Sequence, residues 1–99
     1  MRNYELMYII KPDLDEEKTQ AVIDKFNALI TDNGGEIVTA DKWGKRRLAY
    51  EIKDYREGVY ILVNFKGEVA TAREVDRIMK ITDDILRFMI ILKDNPEAN

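Results

Sequence analysis

An α+β domain of order β-α-β-β-α-β is predicted by three features of this 99-residue chain. Tyr4 to Ile10 and Ile85 to Leu92 are apolar segments of strand length near its two ends. Val22, Phe26 and Ile30 recur at helical spacing after the first, and Ala72, Val75 and Met79 before the last. Between the two helical stretches lie two consecutive extended segments. A chain of this size supports a single core, so residues 1–93 are read as one domain and residues 94–99 as a short polar, acidic tail.

In the first strand Tyr4, Leu6, Tyr8 and Ile10 alternate with Asn3 and Glu5, while Met7 and Ile9 add apolar groups to the second face. Lys11-Pro12-Asp13 stops it. Asp13 or Asp15 then caps the first helix, and the acidic residues of its first turn suit the positive end of the helix dipole. Ile23 and Leu29 flank the stripe of Val22, Phe26 and Ile30, and Asn33-Gly34-Gly35 ends the helix. Glu36 to Tyr50 reads as the second strand and Gly58 to Phe65 as the third. The third is nearly continuously apolar, as a central strand would be. The polar run Lys53 to Gly58 is expected to connect them. A second helix follows near Val69 to Ile81, where Thr71-x-x-Glu74 has the form of a capping box.

With right-handed crossovers this order gives the split βαβ, or ferredoxin-like, arrangement: a four-stranded antiparallel sheet with both helices on one face. The first and third strands are central, the second and fourth lie at the edges. Tyr4, Leu6, Tyr8, Ile10, Ile61, Val63, Phe65, Leu86, Phe88 and Ile90 are expected to point at the helices. Met7, Ile9, Tyr60, Leu62, Met89 and Ile91 then face the other way, onto a surface that nothing in the chain covers. A contiguous apolar patch of that kind marks an interaction surface for a partner. Base stacking on it is not expected, because Tyr60 is its one aromatic.

The charge pattern is uneven. The chain carries a net charge of -3, yet Lys42-Trp43-Gly44-Lys45-Arg46-Arg47 holds four positive charges and the only tryptophan. Cations on an edge strand block edge-to-edge pairing; they also contact phosphates. Both uses of Lys42, Lys45, Arg46 and Arg47 stay open on pattern alone. Arg2, Lys80 and Arg87 extend the basic set, whereas Arg73 and Arg77 read as a solvated helix face paired to Glu74 or Asp76. Trp43 either stacks on a base or caps the core, and the core is the commoner use of a lone strand tryptophan. Gly44 beside it marks a bulge or a close backbone approach.

Catalytic chemistry finds no footing. There is no cysteine and no histidine, which removes thiolate nucleophiles, the usual zinc ligands and the commonest general base. No glycine-rich phosphate loop or metal-ligand spacing is present, so no cofactor and no metal are expected. Asp83-Asp84 reads as a turn. An acylphosphatase-like enzyme shares the topology, but Ile10-Lys11-Pro12-Asp13 stands where its glycine-rich arginine loop would be. With no apolar signal core and no run of membrane-spanning length, a cytoplasmic protein is expected. A self-associating regulatory domain on the same fold is the competing reading.

Four strings carry a resemblance. Met1-Arg2-Asn3-Tyr4-Glu5-Leu6-Met7-Tyr8-Ile9-Ile10-Lys11-Pro12-Asp13-Leu14, Trp43-Gly44-Lys45-Arg46-Arg47-Leu48-Ala49-Tyr50, Gly58-x-Tyr60 and Asp83-Asp84-Ile85-Leu86-Arg87-Phe88 occur in order and at the spacing of bacterial small-subunit ribosomal protein six, so the chain resembles that family over nearly its whole length. The resemblance implies an architectural protein that joins ribosomal protein S-eighteen and binds the central domain of small-subunit ribosomal RNA. It also implies that Arg2, Arg46, Arg47, Arg87 and Lys80 are RNA or partner contacts, Arg46 and Arg47 serving both. Glu51 departs from the pattern by standing where a proline is often found.

Overall fold

The computed structural model describes residues 1–93, and the predicted tail lies outside them. Six elements run in the expected order: β1 (Arg2–Ile10), α1 (Glu16–Asp32), β2 (Glu36–Ile52), β3 (Tyr55–Gly67), α2 (Val69–Lys80) and β4 (Ile85–Leu92). The strands pair antiparallel in the spatial order β2-β3-β1-β4, with β1 and β3 central. Both helices pack on one face. Tyr4, Leu6, Tyr8 and Ile10 of β1 and Ile61, Val63 and Phe65 of β3 meet Val22, Phe26 and Ile30 of α1 and Val75 and Met79 of α2 there.

Asp15 caps α1, its carboxylate accepting from the Lys18 backbone N–H at 2.8 Å. Asn33 closes the helix by donating its side-chain amide to the Leu29 carbonyl at 2.8 Å. The capping box does not form at α2. Glu68 is the capping residue, without a side-chain bond, and Thr71 lies inside the helix. Its buried hydroxyl instead donates to the Asn33 carbonyl at 2.8 Å, tying the start of α2 to the end of α1.

Two further expectations are corrected. The β2–β3 connection is Lys53-Asp54 alone, both with positive φ (51° and 71°), so Tyr55 to Glu57 belong to β3. Paired positive φ values are those of the tight hairpin turn that matches strand twist. The hairpin is therefore longer than the alternation suggests, and it runs past Ile10, which pairs with Val59. Leu86 does not face the helices. The β1–β4 register shifts between Ile9 and Ile10, which pair with Arg87 and Ile85, so Leu86 is the extra residue of a bulge. It joins Ile9 and Leu48 in a second, smaller apolar cluster on the opposite side of the sheet.

That cluster also corrects the notion of an uncovered face. The distal hairpin curls over one half of it, laying Leu48 on Ile9 and Leu86, with Ile52, Tyr55 and Tyr60 packed around them. Gly58 permits this approach, since a Cβ there would lie 2.3 Å from Ile9 Cγ2. The Tyr55 hydroxyl donates to Asp13 Oδ2 at 2.9 Å, and this bond to the carboxylate pushes the phenol pKa up.

Candidate functional site

What the hairpin leaves open is a groove at the other half of the same face. β2 bulges between Lys42, which pairs with Ile61, and Gly44, which pairs with Tyr60. Gly44 sits at φ +87°, a conformation that a side chain would strain. The bulge sends Trp43 onto the open face, where it is 46% exposed, and the expectation that it caps the core is not met. Its indole, with Glu5, Met7, Leu62, Met89 and Ile91, lines a cavity of about 140 Å³. The Arg46 guanidinium lies over the indole, 5.5 Å from its centroid, in a cation–π contact.

The basic run does not stay together in space. Strand alternation from Gly44 onward puts Lys45 and Arg47 on one side and Arg46 on the other. Lys42 lies opposite Ile61 and reaches Glu16 of α1 at 3.4 Å. Lys45 meets Glu57 at 4.0 Å. Only the arginines of the run, Arg46 and Arg47, form no ion pair among the described residues. Charges held by exposed carboxylates contribute little to stability, but their positive charge is already partly answered.

Arg87 comes to the run through a residue the sequence reading did not single out. Tyr50, on β2, receives a hydrogen bond on its hydroxyl from Arg87, whose guanidinium also lies 6.0 Å from the ring centroid. The other two basic candidates lie elsewhere. Arg2 pairs with Gly67 at the opposite end of the sheet, about 30 Å from the Arg46 level at strand rise. Lys80 sits at the end of α2, in the helix layer, bonded to Asp76 at 2.8 Å. Arg77 pairs with Glu74 at 2.7 Å, as expected of a solvated helix face, and its two hydrogen bonds hold the Glu74 carboxyl below the usual range.

Of the apolar candidates, Met7, Tyr60 and Leu62 are half-buried, and Met89 and Ile91 are 43% and 42% exposed. Ile9 is the exception at 5%, under Leu48 and Leu86. The site is thus an apolar groove with Arg46 at its rim, suited to docking and to anion contact. Among the described residues no group of three or more acidic side chains is placed to hold a metal, and no helix is long and apolar enough to cross a membrane.

The family model for ribosomal protein S6 matches residues 3–92. The chain belongs to the ribosomal protein S6 family. It is 57% identical over 95 residues to the small ribosomal subunit protein bS6 of Desulfitobacterium hafniense, a match covering 96% of this chain and all of that one. The bS6 of Moorella thermoacetica is 54% identical over 90 residues, 91% of this chain and 92% of its own. In solved structures, the 30S ribosomal protein S6 of Thermotoga maritima superposes with a TM-score of 0.89 at 29% identity, covering 93% of this chain and 87% of that one. The S6 family is one of structural, non-enzymatic proteins of the small ribosomal subunit, and its compartment is the cytoplasm.

Proposed function

We propose that this S6-family chain binds the central domain of small-subunit ribosomal RNA together with ribosomal protein S-eighteen, as the architectural half of a heterodimer formed during assembly. One observation carries the reading: an open apolar groove, walled by Trp43, Met7, Leu62, Met89 and Ile91, lies beside Arg46, which forms no ion pair among the described residues. The groove and Tyr60 are the partner face, with Ile9 as its buried support. Arg46 and Arg47 serve partner and RNA, and Arg2 and Arg87 serve RNA. Lys42, Lys45 and Lys80 are the weaker RNA contacts, since each must leave a carboxylate first.

Net charge supports the division of labour. A chain at -3, with few guanidinium groups that form no ion pair among the described residues, gains little from counterion release on its own. A basic partner seated on the groove supplies the missing charge. The test is a titration of a central-domain RNA fragment with this protein, with S-eighteen, and with both, at several salt concentrations. Specific binding only by the pair, weakened by Arg46→Ala, is expected. Tight, salt-sensitive binding by this protein alone would overturn the reading, as would a pair that ignores the RNA.

A further inference from the structure

The least regular part of β2 lies beyond the groove. Arg47 pairs with Glu57 and Ile52 with Tyr55, so Leu48 to Glu51 face the single residue Arg56 of β3. An excess of residues on an edge strand bends it and re-aims its side chains. Leu48 turns under, into the Ile9 cluster, while Tyr50 stays 61% exposed. Arg47, Tyr50, Glu51 and Arg56 surround a cleft of about 230 Å³ at this bulge. Arg47 has no ion pair among the described residues, and Arg56 Nε donates to Glu51 Oε2 at 3.1 Å in an exposed contact.

The chemistry of that cleft is specific. Two guanidinium groups suit the oxygens of one phosphate, by paired N–H donation. An exposed phenol ring suits the face of a base, and stacking of that kind tolerates any base. The bases of an RNA duplex are stacked on one another and offer no free face, whereas unpaired ones do. Arg87 lies beside the cleft, its guanidinium 6.0 Å from the Tyr50 ring centroid and bonded to the hydroxyl.

We propose that the β2 bulge is a site for one unpaired nucleotide of RNA, its phosphate between Arg47 and Arg56 and its base on the Tyr50 ring. Glu51 is then the resident anion that the phosphate displaces from Arg56. The inference rests on the RNA-binding reading above and adds to it two contact residues, Tyr50 and Arg56, and a regulator of opposite sign, Glu51.

Glu51 makes the proposal separable from a structural role. If the Glu51–Arg56 pair only braced the hairpin, Glu51→Gln and Arg56→Gln would shift RNA affinity in the same direction. As an RNA site they shift it in opposite directions. With the central-domain fragment and S-eighteen present, Arg56→Gln is expected to weaken binding about fivefold and to reduce the salt slope by about one. Glu51→Gln is expected to strengthen binding about twofold, by removing a negative charge beside the phosphate. Tyr50→Ala should cost about tenfold while Tyr50→Phe, which keeps the ring, stays near the unaltered protein. Same-sign effects of the two Gln variants, or a Tyr50→Ala protein that binds normally, would overturn the site. If Arg46→Ala still weakens binding in that case, only this nucleotide site fails. If the unaltered pair of proteins does not bind the fragment, the broader RNA reading fails with it.

Discussion

Met7 and Ile9 lie two residues apart on β1 and face the same side of the sheet, yet one lines an open groove and the other is core. The two halves of that face differ because the β2–β3 hairpin outruns β1 and folds back over its end. Gly58 lets the backbone come against Ile9, the β4 bulge turns Leu86 to the same side, and Leu48 closes the cluster. At the other half β2 bulges at Gly44 and opens rather than closes, leaving Trp43 beside Met89 and Ile91. A sheet face of one hydrophobic pattern therefore holds two surfaces: one buried by the hairpin and one left open, the proposed docking face.

The largest expected effect is on the closed half. Ile9→Ala removes a buried side chain from a small cluster and should cost about 3 kcal/mol in urea denaturation. A loss within the range of an exposed position would erase the contrast between the halves. Gly58→Ala comes next, at about 2 kcal/mol, because its Cβ would meet Ile9 Cγ2 at 2.3 Å and Ile10 O at 3.2 Å. Faster amide exchange confined to residues 47–58 is the accompanying signature.

On the open half the balance should reverse. Met89→Ala is expected to change folding stability by less than about 1 kcal/mol while weakening S-eighteen binding about tenfold, measured by calorimetry. Equal losses in both would make the groove an ordinary part of the core. The smallest effect concerns Tyr8, which sits between Met7 and Ile9 and points to the helices. Among the described residues its fully buried hydroxyl has no hydrogen-bond partner. Tyr8→Phe should therefore raise stability by about 1 kcal/mol. Burial, and then the charge of Asp24, push the Tyr8 phenol far above the ordinary value of 10.0. The folded state keeps that proton while the unfolded state releases it, so stability is intact below pH 10 and falls as pH rises beyond it. The Phe variant should lose less stability over that alkaline range.

Element order, strand order and the helix-facing core, Leu86 apart, were legible in the sequence because alternation and helical periodicity report which side of an element is buried. The hairpin turn was not, because Lys53-Asp54 lacks the glycine that usually marks paired positive φ. The basic run read as a unit along the chain, but strand alternation and two acidic neighbours, Glu16 and Glu57, divided it. Tyr50 gave no signal, since its partner Arg87 is 37 residues away and meets it only through the curl of the hairpin.

By itself the sequence determined the fold class, the family and the two faces of the sheet, since each follows from local spacing of apolar groups and from contiguous strings. Tertiary structure alone decided how much of the second face stays open and which cations are held by carboxylates. Both depend on bulges that shift register by one residue, and on contacts between segments far apart in the chain. One shifted residue moves a side chain to the opposite face, which is how Leu86 became core to the hairpin and Trp43 became surface.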